Sequence, residues 1–300
     1  PTLVKNTASW KQTVEPETLR HHVKMLSHDL PGRSDDIDQL NQSADYIFRQ
    51  FSKYSVEVER QPFPVWGIDY QNIIAKFGPE DAEQIYVVGA HYDTFDGLPG
   101  ADDNASGIAG LLELARLLSL QQPSARIHLV AFALEEPPYF RTKEMGSFFN
   151  AAELKKSGKK VALMLSLEMI GYFSDKPQSQ RYPLPFLRYF YSDTANFIAV
   201  VGQLKHFGPV RHFKEKMRQT TPLPVHSINA PSLIPGVDFS DHLNYWHQGY
   251  PAIMVTDTAF YRNGNYHKKT DTWDTLDYER MAMVVQGVHS ALLSYLQRNE

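Results

Sequence analysis

Residues 85–118 read IYVVGAHYDTFDGLPGADDNASGIAGLLELARLL, and the fold follows from the way this stretch changes period. Ile85–Val88 is a continuous apolar run rich in β-branched residues, too short and too flat in periodicity for an amphipathic helix. It predicts a buried strand. His91 and Asp93 stand just past its end, and after a loop containing glycine and proline the pair Asp102-Asp103 opens a second segment. There Ile108, Leu111, Leu112, Ala115 and Leu118 recur at helical spacing. An imidazole and several carboxylates are thus carried from a strand tip to a helix mouth. Open α/β sheets bind ligands at the carboxyl ends of their strands, so the other segments that reach that edge decide the chemistry.

Two more short apolar runs lie downstream, Ile127–Leu134 followed by Glu135-Glu136 and Val161–Leu167 followed by Glu168. A last strand is expected at Ala252–Thr256, leading into a loop that contains His267. Toward the N-terminus, helices are expected around Pro16–Ser27 and Asp36–Tyr54, and strands at Val56–Phe63 and Asn72–Phe77. Ser174–Pro185 reads as an exposed loop, Phe186–Asn196 and Val210–Gln219 as helices flanking a strand at Phe197–Val201, and Tyr278–Leu296 as a closing helix. Strands alternating with helices predict an α/β fold: a mixed, mostly parallel central sheet sandwiched between helices. A single domain over residues 1–300 is expected, with the helices of residues 1–55 packing on its core.

The 300 residues are 42% hydrophobic and 21% charged, with a formal net charge of −4. That composition gives no basic face for nucleic acid, and no apolar run approaches the roughly 20 residues of a membrane span. The sequence has no cysteine, so any metal must be held by His, Asp and Glu. The chain starts at Pro1 rather than Met, which raises the expectation that a targeting segment has been removed.

Five donors stand at the strand exits and the helix mouth: His91, Asp103, Glu136, Glu168 and His267. Two imidazoles with three carboxylates and no sulfur suit zinc, with cobalt or manganese as substitutes. The charge count favours two ions, since two divalent cations against three carboxylates leave room for one hydroxide, the nucleophile a hydrolase needs. Glu135, beside a ligand without being one, is placed to take a proton from water and pass it to a leaving amine.

In order along the chain, the motifs are His91-Tyr92-Asp93, the GADDNASG of residues 100–107, Glu135-Glu136, the LEMIG of residues 167–171, Ser240-Asp241-His242 and Tyr266-His267. This set, spanning about Ile85 to Leu276, resembles the M28 zinc aminopeptidases. The resemblance implies that His91, Asp103 and Glu168 bind one zinc and that Asp103, Glu136 and His267 bind the other, with Asp103 bridging. It also implies Glu135 as general base, Asp93 as the acid orienting His91, and a cis peptide bond between Asp103 and Asn104. Tyr266, next to a ligand, is expected to supply an oxyanion contact, as a tyrosine does in some members. Two departures stand out: Glu168 occupies a position where many members carry Asp, and PPYFRTKEM at 137–145 is longer than the equivalent turn of compact aminopeptidases.

The function expected is a dinuclear zinc aminopeptidase that hydrolyses N-terminal residues from peptides with a free N-terminus, by a metal-bound hydroxide with Glu135 as base. Rival readings are a glutaminyl cyclase-like acyltransferase, which needs one metal only, a two-metal carboxypeptidase or deacylase, and a non-catalytic receptor-like domain, which would lack ligands or base. With a signal peptide removed, the resemblance favours an extracytoplasmic location. Asp102 is expected to cap the following helix or fix the loop. Ser240-Asp241-His242 is expected to support the pocket, since consecutive residues do not form a nucleophile, base and orienter line.

Overall fold

The computed structural model of the protein describes residues 11–298 apart from Pro31 and Gln122. The chain enters through α1 (Pro16–Lys24), which widens into a π-helical turn at Met25–Asp29, and α2 (Ile37–Phe51). The Asp36 carboxylate starts α2 by accepting the N–H groups of Asp38 and Gln39 at 3.1 and 3.2 Å. Leu40, Ala44, Ile47 and Phe51 form the buried stripe of that helix. A two-residue turn joins β1 (Glu57–Val65) to β2 (Ile68–Phe77), and its Trp66 and Gly67 have φ of 50° and 83°. Positive φ at both positions matches the twist of a tight hairpin.

β3 (Gln84–His91) then leads to α3 (Gly107–Ser119), and β4 (Arg126–Phe132) to α4 (Gly146–Lys156). After β5 (Lys160–Glu168) comes a long irregular segment, followed by β6 (Ile198–Gly202), α5 (Phe207–Thr220) and β7 (Val225–Asn229). A short helix α6 (His242–His247) precedes β8 (Ala252–Thr256), and α7 (Tyr278–Arg298) closes the chain. The strands form one sheet in the order β1-β2-β4-β3-β5-β8-β6-β7. β4, β3, β5 and β8 are mutually parallel, β7 runs parallel to β6, and antiparallel pairings join β1 to β2, β2 to β4 and β6 to β8.

Burial alternates along the central strands. Tyr86, Val88 and Ala90 of β3 and Leu163, Leu165 and Leu167 of β5 belong to the core that α1, α2, α3, α5 and α7 cover. Ile85, Val87, Val161 and Met164 point the other way, into the core under α4 and α6. Each fully buried aliphatic side chain of this kind contributes about 1.5–3 kcal/mol. The sheet is therefore sandwiched, mixed and mostly parallel, as the alternation of segments predicts. One irregularity lies in β5, where Ile85 pairs with Val161 but Tyr86 pairs with Leu163, so that Ala162 is an extra residue.

Three elements differ from expectation. The helix expected at Phe186–Asn196 is only a single 3-10 turn at Pro185–Tyr189, because Phe186, Tyr189 and Phe190 are exposed and supply no inward stripe. β7 was not anticipated: its VHSIN sequence is half polar, which an edge strand paired on one side tolerates. α6 is too short for a period to register. Among the described residues no helix is long and apolar enough to cross a membrane.

Candidate active site

The parallel register brings the ends of the central strands level. His91 pairs with Phe132 at the end of β4, and Glu168 pairs with Thr256 at the end of β8. His91, Glu135, Glu136 and Glu168 therefore leave the same edge of the sheet, and all four are buried. Asp103 arrives from the turn before α3, where the Asp103–Asn104 peptide bond is cis. His267 arrives from the loop after β8, its ring between those of Phe95 and Tyr266 at centroid distances of 4.2 and 3.8 Å.

Asp103 joins two groups of donors. Its Oδ1 is 3.3 Å from Nε2 of His91, and its Oδ2 is 3.2 Å from Nε2 of His267. Glu168 Oε2 lies 3.5 Å from the same nitrogen of His91, and Glu136 Oε2 lies 3.2 Å from that of His267. The groups His91–Asp103–Glu168 and Asp103–Glu136–His267 each present three donor atoms within 4.8 Å of one another. Glu135 belongs to neither group, although its Oε2 is 3.9 Å from His91 Nε2.

The donor set fits a cation. Both Nε2 atoms are buried beside carboxylates, yet neither makes a hydrogen bond among the described residues. Zinc takes nitrogen and oxygen donors at about 2.0–2.2 Å in a tetrahedron, whose edges are then about 3.4 Å. The observed separations of 3.2–3.5 Å match that edge. Electrostatics agree. Burial and neighbouring Asp103 push Glu136 up to about 8 despite its contact with His267. Burial pushes Glu135 well above the carboxylate range, reinforced by Glu168, Glu136 and Asp241 and opposed by His91. A bound cation would relieve this crowding of charge.

Supporting contacts hold the donors. The backbone oxygen of Asp93 is 3.2 Å and its Oδ1 3.5 Å from His91 Nδ1, while its Oδ2 accepts the N–H of Glu136 at 3.0 Å. Asp271 accepts the N–H groups of Asp102 and Asp103 at 3.1 Å. Asp102 fixes the loop, as its carboxylate accepts from the Gly171 N–H and the Asn263 amide at 3.0 and 2.7 Å. Ser240 donates to Glu168 at 2.7 Å, whereas His242 turns to the carbonyl of Val237 at 2.9 Å, so the triplet makes no catalytic line. Tyr266 is stacked on the ring of His267, with ring centroids 3.8 Å apart. Burial and the charges of Asp103, Glu136, Glu135 and Glu168 raise its pKa, so it stays a phenol and a donor.

Sequence reasoning missed two contributors and named a third, Asp241, only as part of a supporting triplet. Arg33 is fully buried, and its guanidinium donates to the carbonyls of Leu26, Tyr92, Pro99 and Gly100, binding the N-terminal segment to the loops beside His91 and Asp103. No motif surrounds it. Asp241 is buried near Glu168 and Glu135, and burial pushes it up to about 7. Its place inside a recognised triplet was the available signal. The other missed contributor is a cleft of about 790 Å³, open mouth included, that has Glu168 on its wall and is lined by apolar side chains including Phe197, Val201, Phe239, Met254 and Phe260.

The sequence model of one peptidase family, described as "Peptidase family M28", matches residues 72–292. An Escherichia coli (strain K12) relative, "Uncharacterized protein YfbL", is 49% identical over 286 residues, covering 92% of this chain and 87% of its own length. Fungal relatives named "Probable zinc metalloprotease" are also similar, and the chain spans about half their length. BSAP, a zinc aminopeptidase from Bacillus subtilis, matches with a TM-score of 0.76 at 14% identity, over 95% of this chain and 96% of its own. A glutaminyl cyclase from Bacteroides thetaiotaomicron matches with a TM-score of 0.72 at 18% identity, over 95% and 99%. At these identities the two likenesses speak to the fold alone.

Proposed function

The chain belongs to peptidase family M28, a metallopeptidase that uses zinc, and from that premise we propose that it is an aminopeptidase working with two zinc ions. The observation that carries this reading is Asp103, whose two oxygens face two imidazoles at 3.3 and 3.2 Å and so join two groups of three donors. His91, Asp103 and Glu168 would hold one ion, and Asp103, Glu136 and His267 the other. Bound zinc supplies Lewis acidity toward water and the scissile carbonyl.

The remaining steps belong to side chains. Glu135 takes the proton of the attacking water and delivers it to the leaving amine, and its position outside both donor groups leaves its carboxylate free to do so. Tyr266 donates a hydrogen bond from its phenol to the carbonyl oxygen as negative charge develops there. Asp93 holds His91 by its Nδ1, which keeps Nε2 turned to the donors. The cleft beside Glu168 takes an apolar side chain of the N-terminal residue, and the buried carboxylates of the site next to it attract the free α-amine.

Elemental analysis and a substrate panel test the reading together. Fully active protein is expected to hold two zinc ions per chain and to release leucine or phenylalanine from aminoacyl amides. Full activity with one ion overturns the dinuclear reading. Ammonia release from peptides with N-terminal glutamine, with cyclised product and no amide hydrolysis, replaces it with the cyclase reading.

A further inference from the structure

The loop Pro137–Met145 leaves Glu136 and returns at Gly146, the start of α4, and nothing so far gives its length a purpose. It presents Arg141. This residue has φ of 62°, in the left-handed region that a residue bearing a Cβ enters at a cost of about 1–2 kcal/mol. An uncommon backbone conformation persists where surroundings enforce it. Here Nη2 donates to Oδ1 of the buried Asp238, and the guanidinium carbon stands 5.4 and 4.9 Å from the ring centres of Phe140 and Phe239. The cation is thereby held in one place, while its side chain stays 46% exposed. Its other guanidinium N–H groups make no hydrogen bond among the described residues.

Phe239 connects this cation to the site. Its ring is 6.0 Å from Phe260, which is 5.4 Å from Tyr266, whose ring stacks on His267. Phe239 also precedes Ser240, the donor to Glu168. Phe239 and Phe260 line the apolar cleft, but Arg141 does not. The cation thus stands outside the space that would take the N-terminal side chain, next to its wall. The site itself holds the buried carboxylates Asp103, Glu135, Glu136, Glu168 and Asp241. Glu135 and Asp241, which lie outside both donor groups, would repel a substrate carboxylate, and a fixed cation would attract one. A guanidinium with free N–H groups is the side chain best shaped to receive one, through two parallel hydrogen bonds.

We propose that Arg141 determines specificity by binding a substrate carboxylate on the leaving side of the scissile bond, so that short peptides with a free C-terminus are preferred to their amides. The proposal rests on the peptidase reading above. The carboxylate has two sources, the C-terminus of a di- or tripeptide or an acidic side chain on the leaving residue. Comparing Leu-Gly, Leu-Gly-Gly, Leu-Gly-amide and Leu-Asp-amide separates them.

With zinc-loaded wild-type protein, kcat/KM for Leu-Gly or Leu-Gly-Gly should exceed that for Leu-Gly-amide by about 10–100-fold, the range of one charge-assisted hydrogen-bonded contact. Preference for Leu-Asp-amide instead assigns the contact to an acidic side chain. In Arg141→Met the acid-to-amide ratio should fall to near one, and in Arg141→Lys it should be intermediate. A role confined to bracing the loop through Asp238 would lower all substrates alike and leave the ratio unchanged, which overturns the proposal. Equal wild-type rates on Leu-Gly, Leu-Gly-amide and Leu-Asp-amide also overturn it, even if the Met variant does not fold. Absence of hydrolysis of all four substrates overturns the peptidase reading itself, and this inference with it.

Discussion

The hydroxyl of Ser240 lies 2.7 Å from Oε2 of Glu168, the same oxygen that stands 3.5 Å from Nε2 of His91. Ser240 in turn meets the hydroxyl of Ser166 on β5 at 2.7 Å. Glutamate has one more rotatable bond than aspartate, and this pair of hydroxyls is what limits where its carboxylate goes. Ser240→Ala should weaken zinc binding by about 10–100-fold, the usual effect of losing a partner that orients a ligand. Competition against a chelator of known affinity measures it. Unchanged affinity would mean that packing alone holds Glu168.

Glu135→Gln keeps the shape of the side chain and removes the proton acceptor. Turnover should fall by about 10²–10⁴-fold while zinc content stays at the wild-type level, because Glu135 lies outside both donor groups. Loss of zinc in this variant would instead make Glu135 a ligand, and near-normal turnover would move the base elsewhere.

Tyr266→Phe deletes one hydroxyl and leaves the ring that stacks on His267. If the phenol meets the developing oxyanion, kcat should drop by about 10²–10³-fold with little change in KM. A fall in zinc affinity without a specific fall in kcat would assign Tyr266 to bracing His267.

His128 on β4 is buried, and burial together with the charges of Lys76 and Arg126 lowers its pKa from 6.5 to about 3. The folded chain keeps this imidazole neutral while the unfolded chain protonates it, so its contribution to stability is lost as pH falls from 6.5 toward 3. Buried carboxylates such as Asp271, pushed up to about 8 by burial and the charge of Asp102, act in the opposite sense. Comparison with His128→Gln isolates the histidine. Over the window from pH 6 to 4, wild type should lose stability relative to the variant by about 1 kcal/mol per pH unit in urea titrations. A constant difference across that window would refute the lowered pKa.

The central strands were legible from their short apolar runs, and the gathering of His91, Glu136 and Glu168 at one edge of the sheet from their places at or just past the ends of those runs. Arg33 was not, since a single arginine in a loop has no period and its four carbonyl partners lie up to 67 positions away. The apolar cleft was hidden for a similar reason: its walls come from the irregular segment after β5, from β6 and from the loops around α6 and β8, which are adjacent only in space. The segment at Phe186–Asn196 misled because its aromatic residues face outward, and composition does not record direction.

Ala162 gives β5 an odd residue, and with it a change of parity. Before it Val161 faces the α4 and α6 side opposite Ile85, and after it Leu163 faces the other side opposite Tyr86. Remove the extra residue and every later side chain of β5 would keep its neighbour only by turning over, since a slip of one position exchanges the two faces of a strand. Leu163, Leu165 and Leu167 would lose their core, and Glu168 would point away from His91. The aim of Glu168 at the end of the strand is thus set six residues earlier by the small side chain of Ala162, and activity would count the molecules in which that phase is right.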